Sequence, residues 1–337
     1  MNFINLPYKI LLENLPDEIL VAIFANLTVK DKIICTKVSQ KFKSLCNDKS
    51  LWTKINLSHQ KEVSSELISQ VLEKDCENLD LSFSTYKGGF VPFTKNKLKV
   101  LYLRNCQQSN PYSELDQQFI PNLVESCSLL EKLCLGQFSG PQFDRVTRGI
   151  CKSGQTLTSL NLSGCSNIHY SCIENIVIAC VNLIEANFSA MFLSDYALSF
   201  ICKKLTIKVE KLSLADQQVV DKDIDVLVKR CMNLSALNMR NTNISGKSVL
   251  SVTNNLSSKL VRLELPEFIE YNQLISLNSM EKLAHLWMAP RTTKELHDPR
   301  RQYDLEQARS SHDLKLGSLF PNLKINQGKL LIAEQDK

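Results

Sequence analysis

The chain has 337 residues, of which 44% are hydrophobic and 22% are charged, and its formal net charge is +5. The hydrophobic share is enough to fill a core, so the composition excludes an intrinsically disordered chain. The basic excess is small and no run of 18 uncharged apolar residues occurs, which argues against a nucleic-acid-binding protein and against a membrane span.

The first predicted element is a helix over residues 15–27. Pro16 suits its first turn, and Asp17 and Glu18 place negative charge at the positive end of the helix dipole. Its apolar residues recur at helical spacing and predict one buried side: Leu15, Ile19, Leu20, Ile23, Phe24 and Leu27.

Two shorter helices are predicted next. Thr28-Val-Lys-Asp31 resembles a capping box with Asp31 in place of the usual Glu, and it predicts the start of the second helix. Val38, Phe42 and Leu45 continue the apolar spacing, and Leu51-Trp52 ends the module. A unit of about 45 residues buries little surface alone, so we expect it to gain stability by docking on a partner.

From residue 98 onward the pattern L-x-x-L-x-L recurs, with successive copies 23 to 32 residues apart. Alternating apolar residues predict a short strand with one buried face, and the helical spacing that follows, as at Ile173, Ile176 and Val177, predicts a helix. We therefore predict an α/β solenoid of leucine-rich repeats, with a parallel sheet on the concave side and helices on the convex side. Residues 86–90 and 107–118 interrupt the pattern and are predicted loops. The copies begin at Leu98, Leu130, Leu157, Leu183, Val209, Leu234, Leu260 and Leu283.

The twelve cysteines follow the same repeat. Some lie three residues before a strand's first leucine and others three residues after its last: Cys76, Cys127, Cys180 and Cys231, then Cys106 and Cys165. This register predicts buried thiols that pack as small hydrophobic side chains. Since the chain has no C-x-x-C pair and no H-E-x-x-H motif, we predict neither a metal site nor a cofactor.

Beyond the repeats, residues 291–315 carry many charges of both signs and no strand pattern, which predicts a flexible loop or an exposed helix. Phe320-Pro-Asn-Leu-Lys-Ile-Asn326 predicts one last strand that caps the stack, followed by a short tail.

Two sets of residues resemble F-box/leucine-rich-repeat proteins of the cysteine-containing repeat subclass. One is Leu15-Pro16-x-Glu18-Ile19-Leu20-x-x-Ile23-Phe24-x-x-Leu27 with Asp48-x-Ser50-Leu51-Trp52, and the other is the repeat series. Ser39 and Phe42 replace the family's usual Cys-x-x-Trp, which keeps an aromatic ring. The resemblance implies an F-box at 10–55, repeats at 56–289, and a charged loop, capping strand and tail at 290–337.

In that family the F-box binds the Skp adaptor, which in turn binds a cullin and a RING subunit. The resemblance therefore implies the substrate-recognition subunit of an SCF-type E3 ubiquitin ligase, a non-catalytic protein that promotes ubiquitin-dependent degradation. The adaptor-binding residues that it implies are Leu15, Pro16, Ile19, Leu20, Ile23, Phe24, Leu27, Val38 and Phe42. Leu160-Asn-Leu-Ser-Gly-Cys165 and segments near both ends are further similar to a branch that acts on cell-cycle regulators, which implies a cyclin-kinase subunit as an accessory partner.

A protein substrate is expected on the concave face. The residue between the last two leucines of each copy, and the residue after them, should point to that face. Arg and Trp are common binding hot spots, and Arg can grip a phosphate or a carboxylate through two hydrogen bonds, so a phosphorylated substrate is one form of this hypothesis. The predicted contacts are Tyr102, Arg104, Asn161, Asn187, Asn238, Arg240, Glu264 and Trp287.

Two other functions fit the same repeats. One is a protein-binding or inhibitory scaffold that acts outside a ligase, and the other is a GTPase regulator with a catalytic Arg, for which Arg291, Arg300 and Arg301 are the clustered candidates. The first residues lack a basic segment and a small-residue cleavage site, so we expect the protein in the nucleus, the cytoplasm or both.

Overall fold

A computed structural model describes residues 12–88, 96–110, 112–140, 142–266, 269, 271–289 and 324–325. The predicted charged segment at 291–315, the tail at 327–337 and the three candidate arginines of a GTPase regulator lie outside the described residues.

The N-terminal module consists of three short helices, as predicted: α1 at Asp17–Ala25, α2 at Val29–Cys35 and α3 at Gln40–Leu45. Thr28 Oγ1 accepts the backbone N–H of Asp31 at 3.2 Å, which caps α2. The Asp31 carboxylate accepts the hydroxyl of Thr28 at 2.7 Å. Ser39 caps α3 by accepting the N–H of Phe42.

Eleven strands of the described chain form one parallel sheet, and each pairs with the strand of the next repeat. This confirms the predicted α/β solenoid, and the pattern L-x-L lies in the strands. The strands in spatial order are β1 (Lys54–Asn56), β3 (Asn78–Asp80), β5 (Val100–Tyr102), β7 (Lys132–Cys134), β8 (Ser159–Asn161), β9 (Glu185–Asn187), β10 (Lys211–Ser213), β11 (Ala236–Asn238), β12 (Arg262–Pro266), β13 (His285–Ala289) and β14 (Lys324–Ile325).

Helices connect most of these strands and cover the opposite side of the sheet. They are α4 (Ser65–Glu73), α5 (Glu114–Gln117), α6 (Phe119–Ser126), α7 (Phe143–Lys152), α8 (Tyr170–Ala179), α9 (Asp195–Lys204), α10 (Asp221–Arg230), α11 (Gly246–Leu256) and α12 (Tyr271–Leu274). No helix within the described ranges combines the length and the apolar character needed to cross a bilayer.

The loops predicted at 86–90 and 107–118 were partly wrong. A second, three-stranded parallel sheet holds β2 (Val63–Ser64), β4 (Thr85–Lys87) and β6 (Gln107–Gln108), and α5 lies within the second interval. Strands of two or three residues are too short to give an alternation that the sequence could reveal.

One continuous core runs from the helical module into the repeats. Trp52 lies at the junction, almost fully buried, and its Nε1 donates to the Cys46 carbonyl at 2.6 Å. Lys32 Nζ donates to the Leu51 carbonyl at 3.3 Å, and Lys74 Nζ lies 5.9 Å from the centre of the Trp52 ring. The module is therefore packed against the first repeats.

The cysteine register is confirmed, because all six thiols that it concerns are buried. The thiols of Cys127 and Cys165 each donate to a carbonyl at 3.2 Å, those of Leu123 and Leu135. All twelve cysteines are free. They act as interior side chains that also satisfy backbone acceptors.

The strand that we predicted at the end of the stack is present at Lys324–Ile325, where β14 pairs with β13 in parallel. The remaining residues of that predicted segment lie outside the described ranges.

Candidate functional site

Three of the nine predicted adaptor-binding residues form the interior of the helical module. Leu20 and Phe24 are 0% and 1% exposed, and Phe42 is also buried. The rings of Phe24 and Phe42 meet edge to face, with centroids 5.0 Å apart. Phe42 thus fills the core at the position where the family usually has Trp. These side chains shape the module and hold its helices together.

Other predicted residues on the same helices face outward. Ile19 is 49% exposed and Val38 is 60% exposed, and Ile23 and Pro16 are exposed as well. Leu15 and Leu27 are half-buried. Ile34, which the sequence reasoning missed, is exposed on α2. We call Ile19, Ile23, Ile34 and Val38 the exposed apolar set.

The start of α1 is fixed to α3 by one lysine. Lys41 Nζ donates to the carbonyls of Glu13 and Leu15 at 2.8 and 3.0 Å and lies 3.1 Å from an Asp17 carboxylate oxygen. The lysine satisfies acceptors ahead of the helix and pairs with a carboxylate in its first turn. Since α1 is held in this way, Ile19 and Ile23 are presented on a rigid element.

On the concave face, strand register aligns side chains into rows. One row crosses the sheet from Asp80 to Trp287 through direct partners in neighbouring strands. It contains six of the eight predicted substrate contacts, and Arg104 and Arg240 lie in the next row, two residues along each strand. The members of the first row are Asp80, Tyr102, Cys134, Asn161, Asn187, Ser213, Asn238, Glu264 and Trp287.

The asparagines in this row have a structural task. Asn161 Oδ1 accepts the N–H of Ser163 at 2.9 Å, and Asn187 and Asn238 make the same bond to the residue two positions on. Asn56 does so in the first repeat. Each side chain closes the turn that leaves its strand, which is why Asn recurs there. Because Oδ1 is the acceptor, the amide Nδ2 is left as the donor toward the open face.

Arg104 lies beside an unusual aromatic residue. Its Cζ is 5.7 Å from the ring centre of Phe83, and the opposite contact of Phe83 is the stacked ring of His59, with centroids 5.0 Å apart. The stem of Arg104 runs past Gly136, where an added Cβ would lie 3.4 Å from its Cγ. Phe83 is nevertheless 43% exposed.

A second cluster lies toward the other end of the sheet. Arg240 Nη2 is 3.9 Å from Asp216 Oδ2, and Arg240 Nε is buried without an acceptor among the described residues. Burial raises the pKa of the Glu264 carboxyl, against the opposing effect of Arg240 and Arg262. Trp287 is the register partner of Glu264 and is half-buried.

The sequence reasoning missed the charged residues in the first position of each strand. Lys132, Glu185, Lys211 and Arg262 align with one another's rows, and Lys211 Nζ lies 2.5 Å from Glu185 Oε1. The period of two, applied one step earlier in each copy, would have placed them on the same face. Within the described chain no group of three His, Cys, Asp or Glu residues has an arrangement that could hold a metal ion.

Residues 5–58 match the family model of F-box-like domains. The chain carries an F-box-like domain at its N terminus. It is 28% identical over 92 residues to lysine-specific demethylase 2B of Mus musculus, a segment that covers 26% of this chain and 7% of that protein. The match therefore spans a small part of that relative's length.

Among solved structures, the chain is similar to one in the crystal structure of the yeast Rad7 and Elc1 complex, with a TM-score of 0.47, 12% identity and coverage of 92% of both chains. It is also similar to an internalin from Listeria monocytogenes, with a TM-score of 0.46, 14% identity, and coverage of 77% of this chain and 82% of the internalin. All nine predicted adaptor-binding residues lie within the segment matched by the F-box-like family.

Proposed function

We propose that this chain is the substrate-recognition subunit of an SCF-type E3 ubiquitin ligase. The observation that carries the proposal is an F-box-like match over residues 5–58 on a helical module that leaves large apolar side chains exposed. Large exposed apolar residues on a small rigid domain are characteristic of a protein-binding surface. The partner is the Skp adaptor, which connects the chain to a cullin and a RING subunit.

The chain acts by positioning and performs no chemistry of its own. The F-box-like domain shares one core with the repeats, so the adaptor and a substrate on the concave face are held at a fixed separation. Such a connection raises the effective concentration of the substrate at the ligase. The proposed outcome is ubiquitin-dependent degradation of the bound protein.

The exposed apolar set gives a direct test. Replacing Ile19 and Ile23 by Asp should abolish adaptor binding in a pull-down or by calorimetry, because charged groups replace the apolar contact. The matched control replaces Ile178 and Phe192, exposed apolar residues of the repeats, by Asp. Both double variants should keep the wild-type circular dichroism spectrum. Adaptor binding that survives the first pair, or is lost equally with the control pair, would contradict the proposal.

Leu20 and Phe24 are unsuitable for this test. Both are fully buried, so Asp at either position would leave an unpaired charge in the core and unfold the domain. A loss of adaptor binding would then report loss of fold and not loss of a contact.

The substrate that we propose is a cell-cycle regulator, with a small cyclin-kinase subunit as accessory partner, on the strength of the sequence similarity at three segments. Affinity purification of wild type and of the Ile19/Ile23 variant under proteasome inhibition would test it. A regulator that accumulates with both proteins, and whose level falls only when the wild type is expressed, is the expected result. We further propose that the protein acts in the nucleus or the cytoplasm, where its twelve free thiols would stay reduced.

A further inference from the structure

The concave face carries an excess of positive charge. Across strands β1 to β13, the first and third residues of each strand and the residue two positions further on form three rows on this face. Six of their members are cationic and three are anionic, which leaves an excess of three positive charges. The cations are Lys54, Arg104, Lys132, Lys211, Arg240 and Arg262, and the anions are Asp80, Glu185 and Glu264.

The uncharged floor between these cations is rich in donors. The Oδ1 atoms of Asn161, Asn187 and Asn238 are engaged by backbone N–H groups, so their Nδ2 groups face outward as donors. A ligand that lies across this row meets amide donors flanked by cations. Carboxylates, which only accept hydrogen bonds, match such a surface.

Phe83 indicates where a ligand makes contact near the N-terminal end. Its φ is +59°, in the left-handed region, which costs a residue with a side chain about 1–2 kcal/mol. The equivalent turn positions in other repeats hold Asn105, Asp216 and Asn241, which tolerate this region better. An exposed Phe held there beside the Arg104 guanidinium gives an apolar and cationic anchor.

Arg240 provides the second anchor. Its Nε is buried without an acceptor among the described residues, although Asp216 and Glu264 are close to the guanidinium. A carboxylate reaching Arg240 from the open side would supply the missing acceptor in a charge-assisted hydrogen bond. Trp287, two strands further on, adds an aromatic surface beside it.

The separation of the anchors sets the length of the ligand. Arg104 follows β5 and Arg240 follows β11, five strand steps apart. At about 4.8 Å per step this is about 24 Å, the length of an extended peptide of about seven residues.

We propose that the concave face binds an extended, Asp/Glu-rich segment of the partner protein, with Arg104–Phe83 and Arg240 as its two anchors. This deepens the proposed function by naming the chemistry of the substrate segment, and it rests on that function only for the consequence of binding. The peptide crosses the strands, and its carboxylates lie over the asparagine row.

The experiment is a selection of random decapeptides displayed on phage against the immobilised full chain, followed by affinity measurements on the selected peptides. We expect sequences enriched in Asp and Glu, affinities that fall steeply with added salt, and loss of binding when the peptide's Asp and Glu are replaced by Asn and Gln. Because that last change alters only the peptide, it does not depend on the folding of a protein variant.

The protein side is tested with Arg104→Gln plus Arg240→Gln, against a control in which Lys203 and Lys247, exposed on α9 and α11, become Gln. Each pair removes the same charge. The first should weaken the selected peptides at least about tenfold, since two charge-assisted bonds are lost, and the control should leave affinity within about twofold. Neutral or basic selected peptides, binding only of phosphorylated peptides, or equal losses in both variants would overturn the proposal.

Adaptor binding is measured on the same preparations to separate the two proposals. Normal adaptor binding with no acidic selection contradicts only the peptide site. Acidic selection without adaptor binding contradicts only the ligase role.

Discussion

At the scale of single residues, burial divides side chains that look alike in the sequence. Ile19 and Leu20 are neighbours with nearly equal hydrophobicity, yet Ile19 is exposed and Leu20 is in the core. One residue step turns a helix by about 100°, which is enough to move a side chain from the interior to the surface. The cysteines show the reverse, because a residue type with many chemical uses has here one shared task in the interior.

Burial of the cysteines predicts a pH dependence of stability. It raises the pKa of Cys127 to about 12 and that of Cys231 to about 11, from an ordinary value of 9.0. Between 9.0 and those values these thiols ionise in the unfolded chain and stay protonated in the folded one. The free energy of unfolding should therefore be unaffected below pH 9.0 and fall above it, by up to about 1.4 kcal/mol per pH unit for each thiol.

Urea unfolding from pH 8 to 10.5 would measure this effect on wild type and on Cys127→Ala plus Cys231→Ala. The variant starts less stable because two buried side chains are trimmed, but its stability should fall less steeply with pH. Equal slopes would show that these two thiols are not the groups responsible.

At the scale of elements, each repeat turns out of its strand through a residue in the left-handed region. The position lies two residues after the last strand leucine or its substitute, and its occupants differ widely in chemistry. They are His59, Phe83, Asn105, Gln137, Gly164, Ala190, Asp216 and Asn241, with φ between +47° and +68°. Only one of the eight is glycine, so the repeat imposes the turn against the preference of most of its side chains.

This turn predicts an unusual stabilising substitution. Ala190 has φ +54°, so Ala190→Gly should raise the free energy of unfolding by about 0.5–1 kcal/mol, because relief of the left-handed strain exceeds the extra entropy of glycine in the unfolded chain. Ala197→Gly, in the interior of α9, should lower it by about the same amount. Thermal and urea denaturation of the two variants would check the opposite signs, and a loss of stability in both would contradict the argument.

At the scale of the whole molecule, the continuous core connects the two proposed binding surfaces. A solenoid repeat contacts chiefly its neighbours, so a change in one repeat weakens nearby repeats most. The F-box-like domain behaves as one more neighbour of the first repeat, because Trp52 and Lys32 bridge the two.

Trp52→Ala should therefore impair adaptor binding at a distance. It removes a buried indole at a cost of about 3–5 kcal/mol and loosens α1 to α3 without altering the exposed apolar set. Leu263→Ala, in the buried position of β12, should cost about 2–5 kcal/mol and leave adaptor affinity unchanged. Hydrogen exchange should rise around residues 17–56 in the first variant and around β11 to β13 in the second. Exchange that rises over the whole chain in both would show that the molecule unfolds as one unit.

The sequence by itself determined the repeat, the strand register, the burial of the cysteines and the concave position of Tyr102, Arg104 and Trp287. It could do so because these depend on local periodicity: a strand alternates every two residues and the repeat returns at a nearly constant interval. Only the tertiary structure decided which apolar residues of α1 face solvent, that Asn161 closes a turn, that Phe83 lies beside Arg104, and that a second small sheet exists. Those features depend on how three helices pack and on which side chains neighbouring repeats bring together, and separation in sequence does not encode that.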